Sequence, residues 1–402
     1  MNILMLSDVY FPRVNGVSTS IQTYCRELVR MGHAVTIVAP DYGIPDTQTE
    51  FEILRLPSRK LSFDPEDRLI KRSSLPALLR NLVQRHWDVI HIHTPFRAHQ
   101  IGVRLARMTG RPTVESYHTY FEEYVANYLP WLPRPIGRFG VRLFSRRLCA
   151  DVDHLIVPSE QMAAVLRDYG IKTPATVIPT GIRLEEFAGG DGAKFRQRHD
   201  IAKDRPMLLT VGRLAIEKNI DFLLEVTARL VPQFPSLLFI IAGEGPDEER
   251  LKHRVAELKL GANVRFLGNL DRRTELLDCY RACDVFVFAS STETQGLVLI
   301  EAMALGAPIV STAVMGTATV LKGARSARVS EIDAVTFADH VDALLQSQSE
   351  RESLSAAGPR DANAWSAPVL MRNVLELYAQ VAVRGSPQAA DHRITAPAAL
   401  DR

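Results

Sequence analysis

Residues 284–312, DVFVFASSTETQGLVLIEAMALGAPIVST, decide the fold of this chain. An apolar run rich in Val and Phe comes first, a short polar segment follows, and an apolar stretch of helical length leads into PIVST. Short apolar runs on both sides of one helix are typical of two parallel strands joined by a crossover helix. The stretch therefore predicts a βαβ unit, with its polar segment at the carboxyl end of the first strand.

The same alternation of strands and helices extends from this stretch toward the N-terminus. It runs back to a seam at residues 178–187 and then occupies the first half of the chain as well. We therefore predict an α/β fold with two doubly wound, Rossmann-like parallel sheets, in residues 1–182 and 183–365. An amphipathic helix is predicted at 366–382, and residues 385–402, rich in Ala, Pro and charge, are predicted to form a disordered tail.

Composition and length fit a two-domain globular protein. The 402 residues include 48 basic and 46 acidic side chains, a net charge of +2, which argues against a nucleic-acid-binding protein. The four cysteines are scattered without a CxxC pair, so we expect small buried side chains rather than metal ligands. No apolar run approaches the roughly 18 residues of a membrane-spanning helix, and MNILMLS predicts a first strand rather than a signal peptide. The expected location is the cytoplasm.

Two cations, Arg213 and Lys218, follow the predicted strand LLTVG. Ligands of open α/β sheets bind outside the carboxyl ends of the strands, so two cations at such an end suit a diphosphate. Each charge-assisted hydrogen bond contributes roughly 1.5–3 kcal/mol, against about 0.3–1 kcal/mol for a helix dipole. We therefore expect this pair to provide most of the affinity for a diphosphate, although either residue taken alone is typical of a solvated loop charge.

A second anion-binding element is predicted where the helix of residues 284–312 begins. That helix is expected to start at Gln295 or Gly296, and its first backbone N–H groups lack partners within the helix. Gly296 has no side chain and lets a phosphate approach the backbone. The residues expected to contribute to this part of the site are Gln295, Gly296, Leu297 and Val298.

Two glutamates, Glu293 and Glu301, lie before this helix and one to two turns into it. With a rise of 1.5 Å per residue, their carboxylates are predicted to lie about 8–10 Å apart. Each could accept hydrogen bonds from hydroxyls at one end of an elongated ligand, such as a nucleotide sugar. The alternative is that Glu293 is only a charge at the helix N-terminus and that Glu301 is only a surface residue. However, Glu301 lies in an otherwise apolar helix, where a carboxylate needs a partner.

This stretch and three further motifs resemble the retaining family 4 glycosyltransferases. Glu293 and Glu301 match the E-x7-E signature, while VIPTGI, VGRLAIEKN and IAGEGP match other motifs, and the likeness covers roughly residues 1–383. The resemblance implies a GT-B fold, in which two Rossmann-like domains face each other across a crevice, and a nucleotide-diphosphate sugar donor. It also implies that Arg213 and Lys218 bind the diphosphate, that Glu301 holds the ribose and that Glu293 contacts the transferred sugar.

The first domain is expected to hold the acceptor and to complete the donor site. By the same resemblance, Gly16 in the sequence VNGVS belongs to a loop near the diphosphate, where the family often has two glycines. His118 lies just past a predicted strand and matches a histidine near the sugar and the reaction centre. His91 and His93 alternate along a strand and are predicted to be structural. The family's last helix crosses back to pack on the first domain, which suits residues 366–382.

No metal and no other cofactor is expected, and the nucleotide sugar is a substrate. Asp151 and Asp153 form a DxD string, which binds a metal in other glycosyltransferases, but here it begins a strand in the first domain instead of ending one. We therefore predict that it plays no part in the reaction. The residues predicted to act in catalysis, without a covalent nucleophile, are His118, Arg213, Lys218 and Glu293.

The segment 124–147 is predicted to contact an anionic membrane. It contains no acidic residue, and aromatic Tyr124, Tyr128 and Trp131 precede a basic, amphipathic stretch. Such an element suits a lipid surface, although two glycines weaken the helix and a basic stripe is more often only solvated. With SYHTYFEEYV it resembles the membrane-associated branch of the family, whose members glycosylate diacylglycerol or related lipids. The arginines are Arg134, Arg138, Arg142, Arg146 and Arg147.

Two other classes of function fit the same residues. One is a sugar-nucleotide epimerase or a phosphorylase on this fold, and the other is a non-catalytic sugar-nucleotide-binding subunit. The combined presence of both glutamates, both cations and His118 favours an enzyme over a binding subunit. The leading prediction is a retaining transferase that moves a hexosyl group from a nucleotide-diphosphate sugar, with UDP favoured, to a lipid hydroxyl at the cytoplasmic face of the membrane.

Overall fold

The fold is described from a computed structural model for residues 1–46, 50–60, 68–118 and 133–384. The predicted tail and the aromatic residues Tyr124, Tyr128 and Trp131 lie outside these ranges. Two parallel sheets with flanking helices make up most of the described residues. The prediction of two Rossmann-like α/β domains is confirmed.

The first domain is built on a seven-stranded parallel sheet. The strands of this domain, including two outside the main sheet, are β1 (Asn2–Leu6), β2 (Ala34–Pro40), β3 (Glu52–Leu56), β4 (Ser58–Lys60), β5 (Arg68–Ile70), β6 (Val89–Ile92), β7 (Thr113–Ser116), β8 (His154–Val157) and β9 (Ala175–Val177). Its helices are α1 (Gly16–Arg30), α2 (Leu75–Val83), α3 (Arg97–Thr109), α4 (Arg134–Ala150) and α5 (Glu160–Asp168). The sheet order is β3-β2-β1-β6-β7-β8-β9, while β4 and β5 form a separate antiparallel pair.

The second domain repeats the arrangement with six parallel strands. Its strands are β10 (Met207–Val211), β11 (Leu238–Ala242), β12 (Val264–Gly268), β13 (Val285–Phe288), β14 (Ile309–Thr312) and β15 (Ala327–Ser330). Its helices are α6 (Gly192–Arg198), α7 (Ile220–Leu230), α8 (Glu248–Glu257), α9 (Glu275–Ala282), α10 (Leu297–Ala304), α11 (Gly316–Leu321), α12 (Ala334–Gln346) and α13 (Gln348–Ala362). The order is β12-β11-β10-β13-β14-β15.

Apolar strands form these sheets because both faces are covered. In β1, Ile3 and Met5 belong to one buried cluster while Leu4 and Leu6 belong to another, so alternate side chains pack on opposite layers of helices. The order of strands reverses direction between β1 and β6 in the first sheet, and between β10 and β13 in the second. Such a reversal opens a crevice at the carboxyl ends of the two strands, where ligands bind.

The chain returns to the first domain at its last helix, α14 (Ala367–Arg384). Tyr378 and four other buried apolar residues of α14 share a cluster with β1 and α1. At the seam, Ile182 bonds to the backbone of Trp365 and Ala367 at 2.9 and 2.8 Å. A Cβ on Gly181 would lie 2.4 Å from Cα of Ala367, so only glycine permits this close crossing.

Candidate active site

The loops after β10 and β13 meet at an ion pair. Lys218, at the end of a short 3-10 turn, donates from Nζ to Oε1 of Glu293 at 2.5 Å. The Ser290 hydroxyl and the Ser291 N–H both donate to the backbone carbonyl of Glu217, which ties the two loops together. The side chains of Lys218 and Glu293 are 22% and 19% exposed, so a ligand can reach both. The cation predicted to bind the diphosphate and the carboxylate predicted to contact the sugar are therefore direct neighbours.

The helix after β13 begins one residue after the predicted start at Gln295 or Gly296. Gly296 is the N-cap residue of α10, with φ at 94°, and α10 starts at Leu297. A larger residue at Gly296 would be strained in this conformation, and its Cβ would lie 3.1 Å from the Thr317 methyl group. Leu297 and Val298 pack their side chains against the core. They can therefore offer an anion only their backbone N–H groups.

The Gln295 side chain is bonded to the connection between the two domains. Its Oε1 accepts from the Thr180 N–H at 2.7 Å, and its Nε2 donates to the Thr180 carbonyl at 2.6 Å. The Thr180 hydroxyl in turn lies 2.8 Å from the Ser20 hydroxyl on α1. All three residues are buried. Any contribution of Gln295 to donor binding must therefore come from its backbone, and no signal in the sequence linked it to Thr180.

Glu301 is buried with two partners from neighbouring elements. Its Oε1 accepts a hydrogen bond from Nη2 of Arg272, in the loop between β12 and α9, and its Oε2 lies 3.1 Å from the Tyr280 hydroxyl on α9. Burial and the Glu301 charge raise the pKa of Tyr280 well above its usual value, so the hydroxyl remains a donor. That a carboxylate in this apolar helix needs a partner was predictable from the sequence. The identity of the two partners was not, because they lie 21 and 29 residues away along the chain.

His118 follows β7 and joins a row of buried polar rings. Its Nε2 lies 3.2 Å from Nδ1 of His93, and the His93 ring is tilted by 37° to that of His91, with 4.0 Å between the ring centroids. His91 is bonded on one side to Ser116 at 2.8 Å and on the other to Tyr378 of α14 at 2.5 Å. Burial lowers the pKa of all three histidines, to about 4 for His118. The sequence predicted only a structural role for His93, which the structure places directly beside His118.

Gly16 and Arg213 lie at two further strand ends. Gly16 opens α1 after Asn15, whose side-chain oxygen accepts from the Ser18 N–H at 2.8 Å. A Cβ on Gly16 would meet no atom of the described residues within 4 Å, so protein packing does not require a glycine and room remains for a ligand. Arg213 is partly buried and lies two residues past the end of β10.

Comparison with known proteins identifies the family. Residues 14–186 match the model for Glycosyltransferase Family 4, and residues 191–361 match Glycosyl transferases group 1. The chain is also 33% identical over 318 residues to an alpha-monoglucosyldiacylglycerol synthase of Streptococcus pneumoniae. The aligned region covers 77% of this chain and 71% of that protein. The chain belongs to the group 1 glycosyltransferases.

Further comparisons extend to a second relative and to a solved structure. This group 1 glycosyltransferase is 27% identical to an alpha-monoglucosyldiacylglycerol synthase of Acholeplasma laidlawii, over 77% of the chain and 80% of that protein. A sucrose-phosphate synthase from Thermosynechococcus elongatus aligns with a TM-score of 0.76 and 22% identity, covering 95% of this chain and 99% of that one. The structural likeness concerns the fold, and the prediction of a GT-B fold is confirmed.

The glycosyltransferase exposes an apolar face on α4. Four large apolar side chains on this helix are between 40% and 70% exposed: Ile136, Phe139, Leu143 and Phe144. The opposite side is buried, and the Ser145 hydroxyl lies 2.9 Å from that of Tyr117, next to His118. The predicted arginine stripe is partly engaged by protein, because Arg142 lies over the Tyr169 ring and Arg146 donates to the Tyr169 carbonyl. Among the described helices, none has the length and apolarity needed to cross a bilayer.

The DxD string of the glycosyltransferase has structural partners. Asp153 accepts from the N–H and the hydroxyl of Thr113, both at 2.8 Å, and Asp151 accepts from Arg107 at 2.9 Å. These contacts fasten the start of β8 to β7 and α3. Within the described ranges, no group of three or more His, Cys, Asp or Glu side chains is arranged to hold a metal ion.

Proposed function

We propose that this glycosyltransferase moves a hexosyl group from a nucleotide-diphosphate sugar, with UDP favoured, to a hydroxyl of a membrane lipid such as diacylglycerol. The observation that carries the proposal is the exposed apolar face of α4, in the domain expected to bind the acceptor and beside the strand end that holds His118. The two relatives support it, since both are alpha-monoglucosyldiacylglycerol synthases by name. Retention of configuration and independence from a metal are parts of the proposal that the family resemblance supports.

In the proposed complex the donor diphosphate binds Arg213 and Lys218. In the structure, Lys218 is paired with Glu293 at 2.5 Å. The diphosphate replaces the carboxylate as the partner of Lys218, and Glu293 is then free to accept hydrogen bonds from the sugar hydroxyls. Two cations fixed at the leaving diphosphate stabilise the charge that develops as the glycosidic bond breaks. The acceptor hydroxyl attacks from the face that the phosphate leaves, and no side chain serves as a covalent nucleophile.

His118 acts in this proposal as a neutral hydrogen-bonding group. Burial lowers its pKa to about 4, so the imidazole carries no charge near pH 7. Among the described residues, His93 contacts Nε2 of His118, so we take Nδ1 as the atom that faces a ligand. A neutral ring held in this way can orient a sugar hydroxyl or the acceptor through a hydrogen bond. It adds no charge beside the carboxylate of Glu293.

The α4 face would place the acceptor domain on the membrane. Four exposed apolar side chains along one helix, with Arg138 and Arg147 also exposed, are suited to the boundary between headgroups and acyl chains. Anionic lipid adds roughly 1 kcal/mol for each nearby Arg or Lys. A lipid acceptor then needs to move only within the bilayer plane to reach the crevice.

Transfer is tested with purified full-length protein and diacylglycerol in anionic vesicles. UDP-glucose, UDP-galactose and GDP-mannose are supplied separately, lipid products are identified by mass spectrometry, and the anomeric configuration is read by NMR. A glycolipid with the donor's α configuration supports the proposal. Conversion of a nucleotide sugar without acceptor would favour an epimerase, and donor binding without transfer to a broad acceptor panel would favour a binding subunit.

Membrane contact is tested by vesicle sedimentation. The double variant Ile136→Ser/Phe139→Ser should bind anionic vesicles at least about tenfold more weakly, because two large apolar side chains no longer enter the interface. The double variant Ile332→Ser/Val335→Ser is a matched control, since those side chains are also about half exposed but lie in the second domain. Equal binding by both double variants would remove α4 from the proposal.

A further inference from the structure

The surroundings of Glu301 contain two residues that no motif assigns to the donor site. Arg272 donates to one oxygen of this carboxylate and Tyr280 to the other, and Glu301 itself is only 2% exposed. Arg272 comes from the loop between β12 and α9, Tyr280 from α9 and Glu301 from α10. Three separate elements therefore converge on one carboxylate at the carboxyl end of the second sheet.

We propose that Arg272 and Tyr280 are positioning residues of the donor site, which fix the orientation of the Glu301 carboxylate and leave its remaining lone pairs to the ribose hydroxyls. The inference rests on the proposed function, because it takes the donor to be a nucleotide sugar and Glu301 to be the residue that holds its ribose, as the family resemblance implies. It goes further in naming the two groups that make a buried carboxylate able to do so.

The chemistry of a carboxylate explains why both groups are needed. An ionised carboxylate offers about four acceptor positions, and Arg272 and Tyr280 occupy one on each oxygen. The positions left can accept from two neighbouring hydroxyls of a ribose. A buried carboxylate without partners is costly, and without these two donors nothing would keep its remaining acceptor positions directed at the two hydroxyls.

Arg272 is also placed to reach the ligand itself. Its side chain is 39% exposed although it is bonded to a buried partner, so the guanidinium lies at the boundary between Glu301 and solvent. The loop that carries it is fixed locally, because Asp271 accepts from the Arg273 N–H at 3.1 Å and from the Thr274 hydroxyl at 2.8 Å. The guanidinium is therefore presented by an ordered turn and not by an extended loop.

The test compares ribonucleotides with their deoxy forms. Full-length wild type, Arg272→Ala, Arg272→Gln and Tyr280→Phe are titrated by calorimetry with UDP and GDP and with the 2′-deoxy and 3′-deoxy form of each. Arg273→Ala is the matched control, since it removes the same charge from the adjacent, exposed position. Thermal unfolding shows whether each variant is folded, and Arg272→Gln retains a hydrogen-bond donor in case the alanine variant does not fold.

We expect wild type to prefer at least one ribonucleotide over its deoxy forms. Arg272→Ala and Arg272→Gln should bind that ribonucleotide about tenfold more weakly and bind the deoxy forms almost as wild type does, given the strength of a charge-assisted hydrogen bond. Tyr280→Phe should lose part of the preference, and Arg273→Ala none.

Two results would overturn the inference, and they differ in whether they also disprove the ribose role of Glu301. If the Arg272 variants keep the full ribose preference of wild type, the positioning role is wrong while the ribose role of Glu301 stands. If wild type itself binds ribonucleotides and deoxynucleotides equally, the ribose role of Glu301 that the family resemblance implies is wrong as well.

Discussion

Replacement of Gln295 by alanine is predicted to weaken the connection between the two domains. The Gln295 side chain makes hydrogen bonds of 2.7 and 2.6 Å to the N–H and the carbonyl of Thr180, and both residues are buried. Alanine leaves both backbone groups without these partners, and each buried unsatisfied group costs roughly 1–3 kcal/mol. Allowing for partial access of water to the space left by the side chain, we expect a loss of about 2–4 kcal/mol in the free energy of unfolding.

The assay is thermal and urea unfolding of Gln295→Ala beside Gln233→Ala. Gln233 also donates from Nε2, to Asp342 at 2.8 Å, but this hydrogen bond is exposed to solvent. Its loss is therefore expected to change stability by less than about 0.5 kcal/mol. The donor KM of Gln295→Ala should rise too, because the same residue directly precedes the N-cap of the helix that faces the diphosphate. Equal unfolding midpoints for the two variants would refute the assignment of a structural connection to Gln295.

Three further predictions concern single residues. Lys218→Ala should lower kcat/KM by about 10–100-fold, since one charge-assisted hydrogen bond to the diphosphate is lost. The unfolding temperature should change little, because Glu293 keeps access to solvent. Steady-state kinetics with the donor check this prediction. Gly296→Ala should cost about 1–3 kcal/mol of stability, because φ at 94° strains any other residue, and urea unfolding against wild type measures it. Burial lowers the pKa of His99, but the hydrogen bond and charge of Glu115 outweigh burial and raise it overall. The contribution of His99 to the free energy of unfolding should therefore be complete below pH 6.5, the ordinary pKa of histidine, and should decline as pH rises through the higher folded-state pKa. Urea unfolding at successive pH values should show this decline in wild type and a smaller decline in His99→Gln.

The fold could be predicted because its signals are local. Strands such as β1 and β13 are runs of apolar residues buried on both faces, and the helices between them repeat with the period of an amphipathic helix. The start of α10 was equally predictable, since Gly296 follows a polar segment and precedes an apolar one. These features depend on neighbours within a few residues, which a sequence displays directly.

The partners of the site residues could not be predicted because they depend on tertiary contacts. Nothing near Glu301 in the sequence distinguishes Arg272 from the adjacent Arg273, yet only the loop geometry brings the Arg272 guanidinium to Glu301. Likewise, the contact between His93 and His118 requires that β6 and β7 be neighbours in register, with Ile92 opposite Glu115. Motifs identify the residues that a ligand would contact, whereas the sheet order determines which other residues hold them.

The contacts of the seam attach the connection between the domains to both of them. The linker is attached to α1 of the first domain by the Thr180 and Ser20 hydroxyls at 2.8 Å, and by Arg183 at 3.3 Å from the buried Glu27. From the second domain, Gln295 bonds to the same Thr180. The linker is therefore held on one side by α1 and on the other by the residue that precedes the N-cap of α10. Because that residue adjoins the first N–H groups of α10, a diphosphate bound there would lie next to a contact that joins the two domains.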